Sequence, residues 1–194
     1  MKKWFSAIIA LTLMSCNQKV YQNPHILIVT SFGDIEAELF PKQAPKTVAA
    51  FLSFIDSGYY NNSSFYRVLL QEGLSTEANT GLIQGGIWKT NDAQHPTVAG
   101  VEHEPTSKSR LSHTDGTLSL ARLIPGTGNT EFFICIGDQT QFDDGKNLNS
   151  NRDPGYAAFG SVVNGMGVVR KIQIQQRESE HFIEKVVIQK IKRL

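Results

Sequence analysis

Two polar side chains stand out because they lie among apolar residues or glycines. Arg67 lies in a Phe-Tyr-Arg-Val segment, and Gln84 is followed directly by two glycines. The alternation around Arg67 is typical of a β-strand and predicts that Phe65 and Arg67 share one face. A guanidinium there either forms a surface salt bridge or points into a substrate groove as a hydrogen-bond donor. The two glycines do not form a phosphate loop, because no Lys-Ser/Thr pair follows them.

The other reactive residue types give no second candidate site. Cys135 lies inside an apolar run, where a buried, inert thiol is expected rather than a nucleophile. His95, His103 and His113 are far apart in the sequence and lie in or near predicted loops, which does not favour a metal site. The sequence therefore predicts no metal and no cofactor.

Most of the elements that must position Arg67 and Gln84 are short strands. Residues 26–39 read as a hairpin, with a turn before alternating apolar and acidic residues. The clearest later strands are predicted at 116–121, 131–136, 156–163 and 182–191.

Two helices are predicted between the strands. Val48, Phe51, Leu52 and Ile55 have the spacing of one helical face, with Pro45 suited to the first helical position and Gly58 to the end. A second helix is predicted over 166–174. The segments 71–81, 91–114 and 143–155 are read as long loops. Many short strands with two helices favour a closed antiparallel barrel capped by the helices.

The N-terminus has the features of a targeting segment. Two lysines precede a ten-residue, mostly apolar run, which is too short to span a bilayer. The run ends in Leu-Met-Ser followed by Cys16, which resembles the bacterial lipobox. We expect residues 1–15 to be a lipoprotein signal peptide, Cys16 to be the lipidation site, 16–25 to be a tether and 26–194 to be the folded domain. An ordinary signal peptide that leaves a free thiol is the alternative.

The charge of the mature chain excludes some partners. Cleavage before Cys16 removes two lysines, which leaves 17 of the 19 basic residues against 18 acidic residues. A nearly neutral protein offers no basic field for nucleic acid.

The order of several short motifs resembles that of the cyclophilins. The motifs are Gly33-Asp34-Ile35-Glu36, Ala44-Pro45-Lys46-Thr47-Val48, Phe65-Tyr66-Arg67-Val68, Gln84-Gly85-Gly86, Gly116 to Arg122, Glu131-Phe132-Phe133-Ile134 and Ala158 to Val162. Each motif alone is weak, but their order and spacing cover residues 26–192. The resemblance implies a mainly β fold, a closed eight-stranded antiparallel barrel capped by two α-helices, and peptidyl-prolyl cis-trans isomerase activity.

The resemblance also assigns site residues. Arg67 matches the catalytic arginine, and Gln84 matches the glutamine that holds the substrate backbone beside it. The expected substrate-binding residues are Phe133 at the floor of the proline pocket, Phe142 and Leu82 in its walls, Ala121 and Arg122 on the strand that pairs with the peptide, and Tyr156 where many members carry histidine.

Two positions depart from the family pattern. Gly81 stands where a phenylalanine is usual, after an enlarged loop, so a pocket wall is expected to be missing unless another residue of that loop fills the gap. Gln141 stands where members that bind cyclosporin well carry tryptophan.

These features predict a monomeric isomerase of the bacterial cell envelope, anchored by lipid on Cys16 and facing the periplasm or held at the outer membrane. Its partners would be proline-containing polypeptides of the envelope. The alternative is a cyclophilin-like binding module or chaperone that holds extended peptides with little turnover. Arg67, Gln84 and Phe133 favour the enzyme, and Gly81 with its enlarged loop favours the binder.

Overall fold

The computed structural model describes residues 21–71, 79–88, 90, 98–146 and 153–194. These residues contain nine strands: β1 (His25–Thr30), β2 (Gly33–Leu39), β3 (Ser63–Gln71), β4 (Thr80–Gly86), β5 (Thr117–Leu120), β6 (Phe132–Ile136), β7 (Ala157–Asn164), β8 (Arg177–Glu178) and β9 (His181–Arg193). The α-helices are α1 (Pro45–Asp56), α2 (Thr106–Ser109) and α3 (Met166–Gln173).

Eight of the strands close into an antiparallel barrel. Their order is β1-β2-β7-β5-β6-β4-β3-β9, and β9 pairs back onto β1. The long strand β9 closes the ring, because its residues up to Ile188 pair with β3 and those from Ile188 onward pair with β1. The two-residue β8 adds only to β9, outside the ring. The predicted eight-stranded barrel is confirmed.

Strand β6 shows how the barrel separates two apolar environments. Phe132, Ile134 and Ile136 belong to the main core inside the barrel, whereas Phe133 and Cys135 belong to a second apolar cluster on the other face. Because both faces are buried, the strand reads in the sequence as a continuous apolar run.

Helix α1 places Phe51 in the aromatic centre of the main core. The Phe51 ring meets the edge of Phe132 at 5.4 Å between centroids and contacts Phe159 at 4.9 Å. Residue Ala44 provides no side-chain cap at its start. Instead, the Glu104 carboxylate accepts hydrogen bonds from the Thr47 N–H at 2.8 Å and the Thr47 hydroxyl at 2.7 Å. This distant carboxylate caps the helix and fixes the loop before α2.

The helix predictions are confirmed, with one addition. Helix α1 begins at Pro45, and Gly58 beyond its end adopts a φ of +72° while its N–H bonds to the Ile55 carbonyl. Helix α3 lies within the predicted 166–174. The four-residue α2 lies in the segment 91–114, which was predicted as loop, and is too short to give a periodic signal.

The signal-peptide and lipidation predictions fall on residues 1–20, outside the described residues. The end of the predicted tether contacts the domain, because the Tyr21 ring stacks on His25 at 3.8 Å and its hydroxyl donates to Glu36 at 3.3 Å. Within the described residues, no helix is long and apolar enough to span a bilayer.

Candidate active site

A β-bulge in strand β3 turns Arg67 out of the barrel. Phe65 pairs with Gly85 and Arg67 with Gln84, so Tyr66 is an extra residue in β3 at this point. Phe65 is fully buried in the main core, whereas Tyr66 and Arg67 both line a groove on the outer face. The expectation that Phe65 and Arg67 share a face is therefore wrong, because the bulge interrupts the alternation between them.

The cross-strand partner of Arg67 is Gln84. The Arg67 Nη1 donates to the Gln84 Oε1 at 2.9 Å, and the Gln84 Nε2 donates to the Tyr66 hydroxyl at 2.9 Å. The two polar residues that stood out in the sequence are thus one hydrogen-bonded unit, held by adjacent strands.

The other side of the guanidinium is occupied by Glu180, from the turn between β8 and β9. The Glu180 Oε2 accepts from the Arg67 Nε at 3.0 Å and Nη2 at 2.6 Å. The turn is fixed to the same strand, because the Val68 N–H donates to the Glu180 carbonyl at 2.8 Å. Arg67 therefore forms a salt bridge and also lines the groove. That this groove binds substrate stays a prediction.

An apolar pocket lies beside Arg67 and Gln84. Phe133 meets the Phe142 ring edge-on at 5.6 Å and the Tyr156 ring edge-on at 5.3 Å. Leu82 belongs to the same cluster, and Leu69 packs against it. The result is a small aromatic and aliphatic recess with hydrogen-bond donors at its edge.

Gly81 is required by its backbone. Its φ is +134°, and a Cβ on it would lie 2.0 Å from the Leu69 carbonyl oxygen. Larger residues are therefore excluded here, whatever the pocket needs. Gly81 does not line the groove, whereas Leu69 and Leu82 do. Most of the enlarged loop, residues 72–78, lies outside the described residues, so the missing wall stays a prediction.

Arg122 stiffens the far side of the groove. Its Nε donates to the Gly155 carbonyl at 2.8 Å, and its Nη2 forms an ion pair with Asp153. The guanidinium carbon also lies 4.9 Å from the centre of the Tyr156 ring, within cation–π range. The Arg122 side chain therefore fixes the loop that carries Tyr156.

All eight residues expected in the site line one groove of about 610 Å³: Arg67, Gln84, Leu82, Ala121, Arg122, Phe133, Phe142 and Tyr156. The sequence analysis missed other lining residues, among them Tyr66, Trp88, Glu131 and His181. Glu131 had a usable signal, since it is a charged residue directly before the buried strand β6.

A buried polar network lies beneath the pocket floor. The His113 ring stacks on Phe133 at 5.9 Å. Its Nδ1 lies 2.7 Å from the Asp143 Oδ1 and its Nε2 lies 2.9 Å from the Ser119 hydroxyl. These residue types match a Ser-His-Asp triad, but Ser119 and His113 are 0% exposed. The network supports Phe133 and has no access to a substrate.

This network predicts a pH dependence of stability. Burial lowers the pKa of His113, although Asp143 opposes the shift. In the unfolded chain His113 binds a proton near pH 6.5, whereas in the folded chain it binds that proton only at lower pH. The free energy of unfolding therefore falls as the pH drops below about 6.5, by up to roughly 1.4 kcal/mol per pH unit. The free energy of unfolding, measured with urea between pH 8 and pH 5, should change less steeply with pH in His113→Asn than in the wild type. Equal slopes would mean that His113 does not contribute.

Two further predictions from the sequence concern the reactivity of Cys135 and the binding of metal ions. Cys135 is fully buried, and burial raises the pKa of its thiol, so it is not a reactive thiolate. Among the described residues, no group of three or more His, Cys, Asp or Glu side chains is placed to hold a metal ion.

A closed eight-stranded barrel with an arginine–glutamine pair beside an aromatic pocket is typical of one class of proteins. Comparison with known proteins identifies that class. Residues 25–193 match the family model described as cyclophilin type peptidyl-prolyl cis-trans isomerase/CLD. The chain belongs to this family and is a peptidyl-prolyl cis-trans isomerase.

Bacterial relatives have the same activity in their names. The chain is 34% identical over 173 residues to peptidyl-prolyl cis-trans isomerase A of Dickeya dadantii, covering 89% of this chain and 83% of the relative. It is 35% identical over 146 residues to peptidyl-prolyl cis-trans isomerase B of Escherichia coli K12, covering 74% and 80%.

A solved structure supports the fold. The crystal structure of a Cryptosporidium parvum cyclophilin type peptidyl-prolyl cis-trans isomerase matches with a TM-score of 0.67 at 24% identity, covering 88% of this chain and 97% of the other. A second structure of that protein, in the presence of the dipeptide Ala-Pro, matches with a TM-score of 0.65, also at 24% identity, covering 86% of this chain and 96% of the other.

Proposed function

We propose that this protein isomerises X–Pro bonds in proteins of the bacterial cell envelope, with Arg67 and Gln84 as the catalytic pair. The observation that carries the assignment of the pair is the hydrogen bond from Arg67 to Gln84 beside the apolar recess of Phe133. The Ala-Pro dipeptide used with the Cryptosporidium relative supports a proline-containing substrate.

The reaction requires a donor for a lone pair that exists only in the transition state. Rotation about an amide bond costs about 18–20 kcal/mol because the planar form is resonance-stabilised. In the planar bond the prolyl nitrogen has no available lone pair, and in the twisted bond it does. A guanidinium beside that nitrogen gains its hydrogen bond only on twisting, which is the condition for catalysis rather than tight binding. Arg67 supplies this donor.

The apolar recess supplies the second contribution to lowering the barrier to rotation. A charge-assisted hydrogen bond is worth roughly 1.5–3 kcal/mol, whereas a rate gain of four to five decades needs about 5–7 kcal/mol. Phe133, Phe142 and Leu82 hold the proline ring while the preceding carbonyl turns, and Gln84 orients the backbone. Ala121 and Arg122 lie along the groove directly after β5, where the backbone of the bound peptide pairs with theirs. Because binding already fixes the ring, less entropy is lost when the X–Pro bond twists in the transition state.

A protease-coupled assay on a short X–Pro peptide tests this assignment. The wild type should accelerate cis-to-trans conversion over the uncatalysed change, which takes tens to hundreds of seconds. A binding module would bind the peptide without accelerating it. Fluorescence of Trp88, which lines the groove and is 40% exposed, provides the binding measurement.

The ion pair with Glu180 should contribute modestly to the rate. The two side chains are 33% and 48% exposed, and exposed pairs contribute roughly 0.2–1 kcal/mol. Glu180→Gln should therefore lower kcat/KM about two- to five-fold, because the guanidinium spends less time in its aimed position. Glu178→Gln, in the same hairpin, is the control. An unchanged rate for Glu180→Gln would show that Gln84 alone orients Arg67.

The envelope assignment rests on the N-terminal sequence. A short apolar run that ends in Leu-Met-Ser-Cys16 is typical of lipoprotein precursors, and the family match begins only at residue 25. The residues between would leave the acylated cysteine several positions ahead of β1. The proposed location is therefore the cell envelope, with the domain facing the periplasm or held at the outer membrane. We also propose that the protein is a monomer and has no nucleic-acid partner.

Replacement of Cys16 should release the protein from the membrane. We expect the wild type, expressed in a bacterium that processes lipoproteins, to partition into detergent and Cys16→Ser to partition into water. The isomerase rate should be unchanged, since the domain begins at β1. Multiple acyl chains anchor firmly where one chain anchors marginally. A wild type found in the aqueous phase would contradict the anchor.

A further inference from the structure

A chain of hydrogen bonds leads from Arg67 to a buried carboxylate. Arg67 donates to Gln84 at 2.9 Å, Gln84 donates to the Tyr66 hydroxyl at 2.9 Å, and Tyr66 donates to the Glu131 Oε2 at 2.7 Å. Two strands, β3 and β4, and the residue preceding β6 contribute to this chain. Glu131 is 9% exposed and lines the groove beside Tyr66.

The site around Glu131 is shaped for a carboxylate. Its Oε1 accepts from the backbone N–H groups of Ile87 at 2.9 Å and Trp88 at 3.0 Å, and from the Thr130 hydroxyl at 3.1 Å. A Cβ on Gly86 would lie 2.4 Å from the Glu131 Oε2, and Gly86 has a φ of +151°. The second glycine after Gln84 therefore makes room for this side chain. Four donors converging on two oxygens require a group that only accepts, as an ionised carboxylate does.

The groups at the two ends set the direction of every bond in the chain, because the Arg67 guanidinium only donates and the Glu131 carboxylate only accepts. Because Glu131 only accepts, Tyr66 must donate to it, which leaves the phenol oxygen as an acceptor. Gln84 must then turn its NH₂ toward Tyr66 and its oxygen toward Arg67. Burial, together with the charge of Glu131, raises the pKa of Tyr66 above its ordinary value, so the phenol keeps the proton that it donates.

We infer that Glu131 is a positioning residue that acts through Tyr66 to fix the orientation of the Gln84 amide, and thereby aims the Arg67 guanidinium at the substrate. The inference rests on the proposed catalytic role of Arg67. Glu131 need not touch the reacting bond, because its effect passes through two hydrogen bonds.

The substitution Glu131→Gln tests the direction of the chain with almost no change of shape. The Oε1 contacts to the backbone can persist, while an NH₂ group faces the Tyr66 oxygen. Tyr66 then donates toward Gln84, and the Gln84 amide turns its NH₂ toward the NH₂ groups of Arg67. Two donors facing each other displace the guanidinium. We expect kcat to fall about five- to ten-fold, with peptide affinity changed less than two-fold.

A double-mutant cycle tests whether the effect passes through Tyr66. Tyr66→Phe removes the hydroxyl that joins Glu131 to Gln84. If Glu131 acts through Tyr66, adding Glu131→Gln to Tyr66→Phe should cause little further loss of kcat. Coupling of this kind is expected of residues in one hydrogen-bonded network. Equal losses from Glu131→Gln in both backgrounds would overturn the inference, since Glu131 would then act by another route.

A matched control uses the other oxygen of the same carboxylate. Thr130→Val removes a hydrogen bond to the Glu131 Oε1 and leaves the Tyr66 contact intact. It should lower kcat much less than Glu131→Gln does, even if the melting temperature falls, because the orientation of the Gln84 amide is kept. A loss of kcat equal to that of Glu131→Gln would instead indicate a general structural role for the carboxylate.

Side-chain NMR gives a readout that does not depend on activity. The ¹⁵N–¹H signals of the Gln84 amide and the Arg67 Nε should shift in Glu131→Gln and remain near their wild-type positions in Thr130→Val. Unchanged Gln84 signals in Glu131→Gln would refute the relay even if the rate fell. A wild type that showed no isomerase activity, with these shifts present, would refute the proposed catalytic pair and leave the relay standing.

Discussion

Replacing Arg67 with alanine is expected to lower kcat/KM about ten- to hundred-fold, while peptide affinity falls much less. The size follows from the loss of one charge-assisted hydrogen bond of roughly 1.5–3 kcal/mol, at about 1.36 kcal/mol per decade of rate. The asymmetry follows from a bond that forms with the twisted amide and not with the planar one. The protease-coupled assay gives the rate, and Trp88 fluorescence gives the affinity.

Two further variants sharpen this test. Arg67→Lys should also lose most of the activity, because an ammonium lacks the planar fork that bonds Gln84 and Glu180 together. Arg170→Ala removes an exposed arginine that pairs with Asp115 away from the groove, and should retain the wild-type rate. Equal losses of rate and affinity in Arg67→Ala would identify Arg67 as a docking residue, and an unchanged rate would remove it from the mechanism.

The fold could be predicted from the sequence because its strongest signals are local. The spacing of Val48, Phe51 and Ile55 is enough to define α1, and Pro45 and Gly58 mark its ends. Strand β6 was found as an apolar run, although the run could not show that Phe132 and Phe133 enter different environments. That difference depends on which strands lie on either side, and no local pattern carries it.

The site could be predicted only where a residue type matched the family pattern. Arg67 and Gln84 lie together at the groove, as expected from the family pattern. The bulge at Tyr66 could not be predicted, because an extra residue in a strand leaves no mark on its composition. The hydrogen bonds of Glu131 and Glu180 could not be predicted for a related reason, although the charge of Glu131 directly before β6 is visible in the sequence. Each acts on residues that are distant in the sequence, 65 positions away for Tyr66 and 113 for Arg67.

Gly81 shows that a residue type alone does not reveal the backbone geometry that requires it. The missing phenylalanine suggested an open pocket, whereas the backbone at Gly81 excludes any side chain because of the Leu69 carbonyl. The pocket is instead lined by Leu69 from β3. The backbone conformation at position 81 therefore requires glycine, which a comparison of residue types alone does not reveal.

Cyclosporin should inhibit this isomerase poorly compared with a relative that carries tryptophan at the position of Gln141. The family resemblance implies that this tryptophan gives apolar contact and a hydrogen bond to the inhibitor. Gln141 follows the first residue of a short 3-10 turn, Thr140–Phe142, and its amide donates to Gln139 at 2.7 Å. A buried tryptophan at an interface is worth about 2 kcal/mol or more, so the inhibition constant should be at least roughly thirty-fold higher.

Engineering position 141 separates the two contributions of the indole. Gln141→Trp should recover part of the sensitivity, because Phe142 beside it already lines the groove. Gln141→Phe supplies an aromatic ring without the N–H donor, so the difference between the two variants measures the hydrogen bond. Inhibition is followed in the protease-coupled assay, with turnover of the uninhibited variants as the control for folding. Tight inhibition of the wild type would contradict the prediction and would mean that other residues around the groove replace the tryptophan.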